Sequence, residues 1–227
     1  QKVDVILGHN NVIIRAAKEA TKTIPVVMIS SVDPVAAGYV ETFARPGGNI
    51  TGLAWLNRDI SAKRIELLRE LLPKLSRIAI LWDADAPGPT VAFKEYSAAA
   101  EAFKLEFRSL EVRGPIPDLV GALQTAKSAN TDAVIVVGNP VMSQNLKVLF
   151  PLINKHRLPS MTEEDRYVEA GGLISYGTSL ADLYRRAAEF TVEILKGAKP
   201  ADLPVKVGSK FDIFVNLKTA QKIGVIV

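Results

Sequence analysis

The residues best suited to chemistry are His9 and His156, which are the only histidines, and two groups of carboxylates, Asp83 with Asp85 and the run Glu163, Glu164, Asp165. These types serve acid–base catalysis or metal binding, yet their spacing argues against both. The histidines lie far apart and outside any H-E-x-x-H pattern, so they form no metal pair. Both carboxylate groups stand at loop starts, where capping a helix competes with proton transfer or a hard cation. The chain has no cysteine, which removes thiolate catalysis, disulfides and sulfur-ligated metals. No G-x-S-x-G elbow, G-x-x-x-x-G-K-[ST] loop or strand followed by G-x-G-x-x-G occurs, against a serine hydrolase and against nucleotide binding. The chain therefore reads as a non-enzyme, with no cofactor and no metal.

The elements that must position these residues alternate. Short apolar runs such as VDVILG, IPVVMIS, NITGLAW, SRIAILWDAD and DAVIVVGNP exchange with amphipathic stretches, the rhythm of βαβ units and parallel sheets. In NNVIIRAAKEATK, Ile13, Ala16, Ala17 and Ala20 fall on one helical face. Asp33 followed by Pro34 reads as an N-cap with proline at the first helical position. Gly47-Gly48 and Gly171-Gly172 precede strands and read as turns that need positive φ. The tail GGLISYG, SLADLYRRAAEFTVEILKG, PADLPV and KFDIFVNLKTAQKIG adds a strand, a long helix, an extended connector and a closing strand and helix.

Among 227 residues, 28 Lys and Arg against 24 Asp and Glu give a net charge of +4. The basic residues are interleaved with acids, as in AKRIELLRELLPK, where Lys63, Arg64 and Arg69 sit among Glu66 and Glu70. That pattern reads as a solvated helix face and not as a nucleic-acid surface. No apolar run reaches membrane-spanning length, and no signal peptide is present from Gln1 onward.

Four long blocks, DPVAAGYVETFARPGGNITGL, AKRIELLRELLPKLSRIAIL, GGLISYGTSLADLYRRAAEFTVEILKGAKPADLPV and KFDIFVNLKTAQKIGV, resemble the ABC-transporter substrate-binding proteins related to tryptophan- and tyrosine-binding proteins. The resemblance implies an α/β fold of the type I periplasmic-binding-protein class: two Rossmann-like lobes with parallel sheets flanked by helices, three crossovers, and a solute held between the lobes. It implies a permease and its ATPase as partners, and a periplasmic or otherwise extracytoplasmic location. It places residues 1–55 plus 176–200 in lobe one and 56–175 plus 201–227 in lobe two. Members of the family carry a signal sequence and two further βα units before the strand equivalent to VDVIL. The chain is thus expected to be an N-terminally truncated fragment with lobe one incomplete and exposed edges open to self-association.

Ligands of open parallel sheets bind beyond the carboxyl ends of strands. His9, Asn10 and Asn11 then line lobe one, with Asn11 as N-cap, joined by Ser30, Ser31 and Asp33. Asp83, Asp85, Asn139 and Glu163 line lobe two, and Tyr176 stands on a crossover strand. Trp55 and Trp82 offer an apolar wall or core. The expected solute is small and organic, amino-acid-like or aromatic, captured by hinge closure. The alternative is a ligand-sensing domain of a transcriptional regulator with the same fold.

Overall fold

The computed structural model describes residues 3–55 and 60–227; Gln1 and Leu56, where the expected lobes begin, lie outside the described residues. Strands β1 (Ile6–Gly8), β2 (Val26–Ser30) and β3 (Ile50–Ala54) alternate with α1 (Asn11–Ala20) and a long irregular segment. Then come α2 (Ser61–Leu71), β4 (Arg77–Asp83), α3 (Pro87–Ala102), β5 (Glu106–Val112), α4 (Leu119–Ser128) and β6 (Ala133–Val136). They are followed by α5 (Pro140–Gln144), α6 (Leu146–Lys155), β7 (Ser160–Thr162), α7 (Asp165–Glu169), β8 (Ile174–Thr178) and α8 (Leu180–Leu195). A 3-10 turn at Pro200–Asp202 leads to β9 (Lys206–Val207), β10 (Phe211–Val215) and α9 (Leu217–Ile223).

The chain divides into two compact units, Gln1–Asn57 with Thr178–Phe211, and Arg58–Gly177 with Asp212–Val227. The first unit holds a four-stranded sheet in the order β1-β2-β3-β9, the second a six-stranded sheet in the order β10-β8-β7-β6-β4-β5. Each sheet is parallel in the registers that pair its central strands. Parallel strands with helices on both faces bury both sides, so they read as unbroken apolar runs. VVMIS in β2 and AVIV in β6 are buried at every position.

Alternation along each strand sorts side chains between two apolar layers. In the second unit, Ile78, Ile80 and Trp82 of β4 face Ile65, Leu68, Tyr96 and Ala100 from α2 and α3. Ala79 and Leu81 face Leu119, Leu123, Leu149 and Phe150 from α4 and α6. In the first unit, Val26 and Met28 meet Ile14 and Ala17 of α1, while Val27 and Ile29 meet Leu183, Ala187 and Phe190 of α8. The buried stripe of α1 is thus Ile14 and Ala17, and Ile13 is exposed. Of the expected face only Ala17 is buried, Ile13, Ala16 and Ala20 being exposed, because it is Ile14 and Ala17 that meet β2.

Two further expectations change. The segment 33–40 makes helical turns and no regular helix: Ala37 N–H reaches Asp33 O at 2.9 Å, and Gly38, with φ 67°, ends the run. Residues 201–211, expected in lobe two, belong with the first unit, and Tyr176, expected in lobe one, belongs with the second. The reason for the first is local: β9 extends the β3 edge, Val205 N–H bonds Phe43 O at 2.8 Å, and Thr51 Oγ1 bonds Leu203 O at 2.5 Å.

The amino edge of the second sheet is tied by Asp132, whose Oδ2 accepts from Ser76 N, Arg77 N and Ser76 Oγ at 2.9, 2.8 and 3.0 Å. Burial would raise its pKa, but these three donors outweigh it and hold the carboxyl below its ordinary value. The stability Asp132 contributes is therefore present above the unfolded pKa of about 3.9 and is lost as pH falls through the lower folded one. Asp132→Asn is expected to flatten the acid limb of a stability-versus-pH curve measured by urea unfolding. At the centre of β3, Gly52 has φ 133°, and a Cβ there would stand 2.2 Å from Met28 O. Because the obstacle is the neighbouring backbone, Gly52→Ala should lower stability by at least about 2 kcal/mol, read as a loss of unfolding midpoint.

Candidate functional site

Each unit gathers polar side chains beyond the carboxyl ends of its strands. In the first, β1 runs into His9 and Asn10, and Asn10 caps α1: with φ −149° and ψ 163° it is extended, and its Oδ1 accepts from Ile13 N at 2.9 Å. The expected cap, Asn11, is instead the first helical residue, which frees its carboxamide to reach the end of β2. There Asn11 Nδ2 donates to Ser31 Oγ at 3.0 Å, and Ser30 Oγ lies 3.1 Å from Asn11 Oδ1. Tyr39 donates its hydroxyl to Asn11 O at 3.2 Å. His9 is exposed, with its ring 6.5 Å from that of Tyr184 on α8. Asp33 stands apart from this group, capping the following turn through Val35 N and Ala36 N at 2.9 and 3.1 Å. Asn10, Asn11, Ser30 and Ser31 therefore form one polar edge, with His9 beside it.

In the second unit, Asp83 is buried at the end of β4 and accepts from Asp85 N at 3.0 Å. Asp85 turns outward to Arg113 Nη1 at 2.9 Å and Gly114 N at 2.8 Å. The Gly114 amide and then Arg113 hold its carboxyl below the ordinary value. Neither aspartate caps α3, whose N-cap position is Ala86. Asn139, just beyond β6, caps the short α5 through Met142 N at 2.9 Å, while its Nδ2 is buried without a hydrogen-bond partner among the described residues. Trp82 is core, stacked on Phe93 at 4.6 Å, and Trp55 packs beside Val27, Leu53 and Phe190.

Glu163 joins a buried side-chain cluster. Its Oε1 receives Arg64 Nη1 at 3.2 Å and Tyr96 OH at 3.3 Å, and Arg64 Nη1 also donates to Tyr96 OH at 2.8 Å. Arg64 Nε donates to Tyr176 O at 2.7 Å, so Tyr176 enters the cluster through its backbone. Glu163 Oε2 makes no hydrogen bond among the described residues and lies 3.3 Å from where a Cβ on Gly138 would stand. Gly138 precedes Asn139, so the carboxylate and the orphan amide occupy adjoining strand ends. Burial pushes the Glu163 pKa up, and Arg64 opposes the rise. No group of three or more His, Cys, Asp or Glu among the described residues is arranged to hold a metal ion. Each edge taken by itself offers hydrogen-bond donors and acceptors.

A family model for ABC transporter substrate binding proteins matches residues 1–227. The chain belongs to that family. Among curated proteins it is 29% identical to the tyrosine-binding protein of Clostridioides difficile (strain R20291), over 97% of this chain, and it spans 63% of that relative's length. Among solved structures, the ABC domain in complex with L-Trp from Streptococcus pneumonia matches at 27% identity and TM-score 0.81, covering 100% of this chain and 77% of the other. A conserved domain protein from Vibrio cholerae matches at 24% identity and TM-score 0.83, covering 100% and 75%. Sugar-binding proteins and LacI-family regulators at 12–14% identity share the fold alone, that of type I periplasmic binding proteins.

For this family member the sequence reading overlooked Arg64, Tyr96 and Gly138. Arg64 was expected on a solvated face, and it is 1% exposed. The signal was present in α2, where Ser61, Arg64, Ile65 and Leu68 are the buried positions. That is the i, i+3, i+4, i+7 stripe, and it carries a charge. Lys63 and Arg69 do stay outside, Lys63 pairing with Glu66 at 3.0 Å and Arg69 lying over the Phe103 ring at 5.5 Å. Removing Glu163 strands the Arg64 charge in the core, so Glu163→Ala is expected to cost about 3 kcal/mol in chemical unfolding. Asn139→Ala forfeits one cap and should cost about 1 kcal/mol.

Proposed function

We propose that the protein is the solute-capturing component of an ABC importer, acting outside the cytoplasm on an amino acid with an aromatic or similarly apolar side chain. The observation that carries this reading is the adjoining pair in the second unit, Glu163 with an uncommitted Oε2 and Asn139 with a buried, unpartnered Nδ2. A buried donor without a partner costs free energy that an arriving acceptor recovers. A carboxylate beside it complements an ammonium, and an α-amino acid carries both groups. The whole-chain family match, the relative named as a tyrosine-binding protein and the L-Trp complex of a similar domain support the same class of solute.

On this reading Asn10, Asn11, Ser30 and Ser31 supply a second set of polar contacts from the first unit, with His9 and the nearby Tyr184 presenting ring surface to an apolar side chain. Asp33, Asp83 and Asp85 serve their local turns and loops, since each already accepts backbone N–H groups. Capture proceeds by hinge closure, and a permease with its ATPase takes the solute from the closed form. No helix among the described residues is long and apolar enough to cross a membrane.

Titration of the protein with L-amino acids, followed by thermal shift and calorimetry, tests the proposal. An aromatic amino acid should raise the melting temperature saturably, corresponding to about 2.7 kcal/mol at a hundredfold excess over Kd. Asn11→Ala should weaken that binding by about tenfold with little loss of stability. A protein that no amino acid stabilises at any concentration sinks the proposal.

A further inference from the structure

We infer that Arg64 is a positioning residue of the solute site: its guanidinium aims the Glu163 carboxylate and, through the Tyr176 carbonyl, ties it to the strand by which the chain leaves the second unit. The inference rests on the reading of Glu163 as the ammonium contact.

The geometry is that of a fork with two of its three nitrogens assigned. Nε holds Tyr176 O, and Nη1 is shared by Glu163 Oε1 and Tyr96 OH. A guanidinium is planar, so fixing Nε and Nη1 fixes the whole group. Both Glu163 bonds end on Oε1, which leaves Oε2 as the oxygen presented to a ligand. Tyr96 is fully buried, and burial pushes its phenol pKa upward, so it remains a neutral donor to Glu163. Tyr176 is followed by Gly177, the last residue before the chain passes to the first unit at Thr178. A Cβ on Gly177 would stand 2.0 Å from Glu163 O and 3.8 Å from Arg64 Nη2. The crossover strand and the loop that carries Glu163 therefore touch backbone to backbone, with Arg64 bonded to both.

The titratable groups that face Glu163 are Arg64 from α2, Tyr96 from α3, Glu164 on its own loop and Tyr167 from α7. Burial and Glu164 both favour the protonated acid, and Arg64 opposes them. Lysine keeps the charge but not the fork, so it cannot hold Tyr176 O and Glu163 together.

The test is carboxyl NMR titration of ligand-free protein carrying 13C-labelled glutamate, beside calorimetric titration with L-tryptophan and L-tyrosine from pH 5 to 8. In Arg64→Lys the Glu163 titration should move upward, with about a tenfold gain in proton affinity. Amino-acid binding at neutral pH should weaken by about tenfold, the deficit shrinking as pH rises and Glu163 ionises. That recovery separates positioning from a purely structural role, which would lower affinity equally at every pH. Tyr96→Phe should move the titration the same way by about twofold to threefold, and it carries the test if the lysine variant does not fold. A Glu163 titration unmoved in the folded variants, or affinity unchanged across the range, overturns the inference. A wild-type protein that binds neither amino acid overturns the functional reading instead, and the carboxyl titration still decides whether Arg64 holds Glu163.

Discussion

A buried guanidinium must find acceptors, and much of the second unit is arranged around that need. Arg64 lies one turn into α2, with Ile65 and Leu68 on the same face packed into the apolar layer. Withdrawing its charge from water costs several kcal/mol, and one ion pair seldom recovers this unless further hydrogen bonds complete the group. Here the carboxylate comes from the loop after β7, a hydroxyl from α3 and a carbonyl from β8. Three elements distant in sequence are thereby held at one end of the sheet. Nη2 alone is left without a partner among the described residues. An apolar side chain at position 64 would pack as well, but it would not specify where Glu163 and Tyr176 stand.

The parallel topology explains why that end is the useful one. Each βα connection leaves a strand at its carboxyl end and returns at the amino end, so the two edges receive different loops. The amino edges are closed by side chains that bond the chain itself. Asn49 Nδ2 donates to Ile24 O at 2.8 Å, Asn154 Nδ2 to Gly171 O at 2.9 Å, and Asn216 Nδ2 to Val168 O at 3.0 Å. Together with Asp132 these side chains tie the loops and helices that meet at the amino edges. At the carboxyl edge of the second sheet, among the described residues, Asn139 uses its oxygen and not its nitrogen, and Glu163 uses one oxygen of two.

The strands and most helices are legible in the sequence because their signals are local. VVMIS and AVIV are buried at every position and read as such, and α8 shows its stripe, Leu183, Ala187, Phe190 and Ile194, within one stretch. The failures are non-local or turn on one residue. Arg64 finds Tyr96 32 residues away and Glu163 99 residues away, separations that no periodicity reports. In Asn10-Asn11 both side chains can cap, and only the backbone angles of Asn10 decide which does. The two-residue β9 is exposed and has no apolar pattern, so its place on β3 could not be read, and with it went the assignment of 201–211. The strand-end rule places Asn139 and Glu163 at adjoining strand ends, but it does not report the arginine bonded to Glu163.

The same comparison shows how carboxylates with similar sequence contexts come to differ. Asp33, Asp85 and Asp132 each accept at least one backbone N–H, which fixes the oxygen to the chain. Among the described residues Glu163 accepts none and is held by two side chains that are themselves buried. Its orientation therefore follows the packing of α2 and α3, whereas the aspartates follow only their own loops. A single guanidinium thus connects this carboxylate to α2 and β8. Aspartates tied into turns have no comparable route. The distinction lies in what each oxygen is bonded to: backbone amides for the aspartates, side chains of α2 and α3 for Glu163.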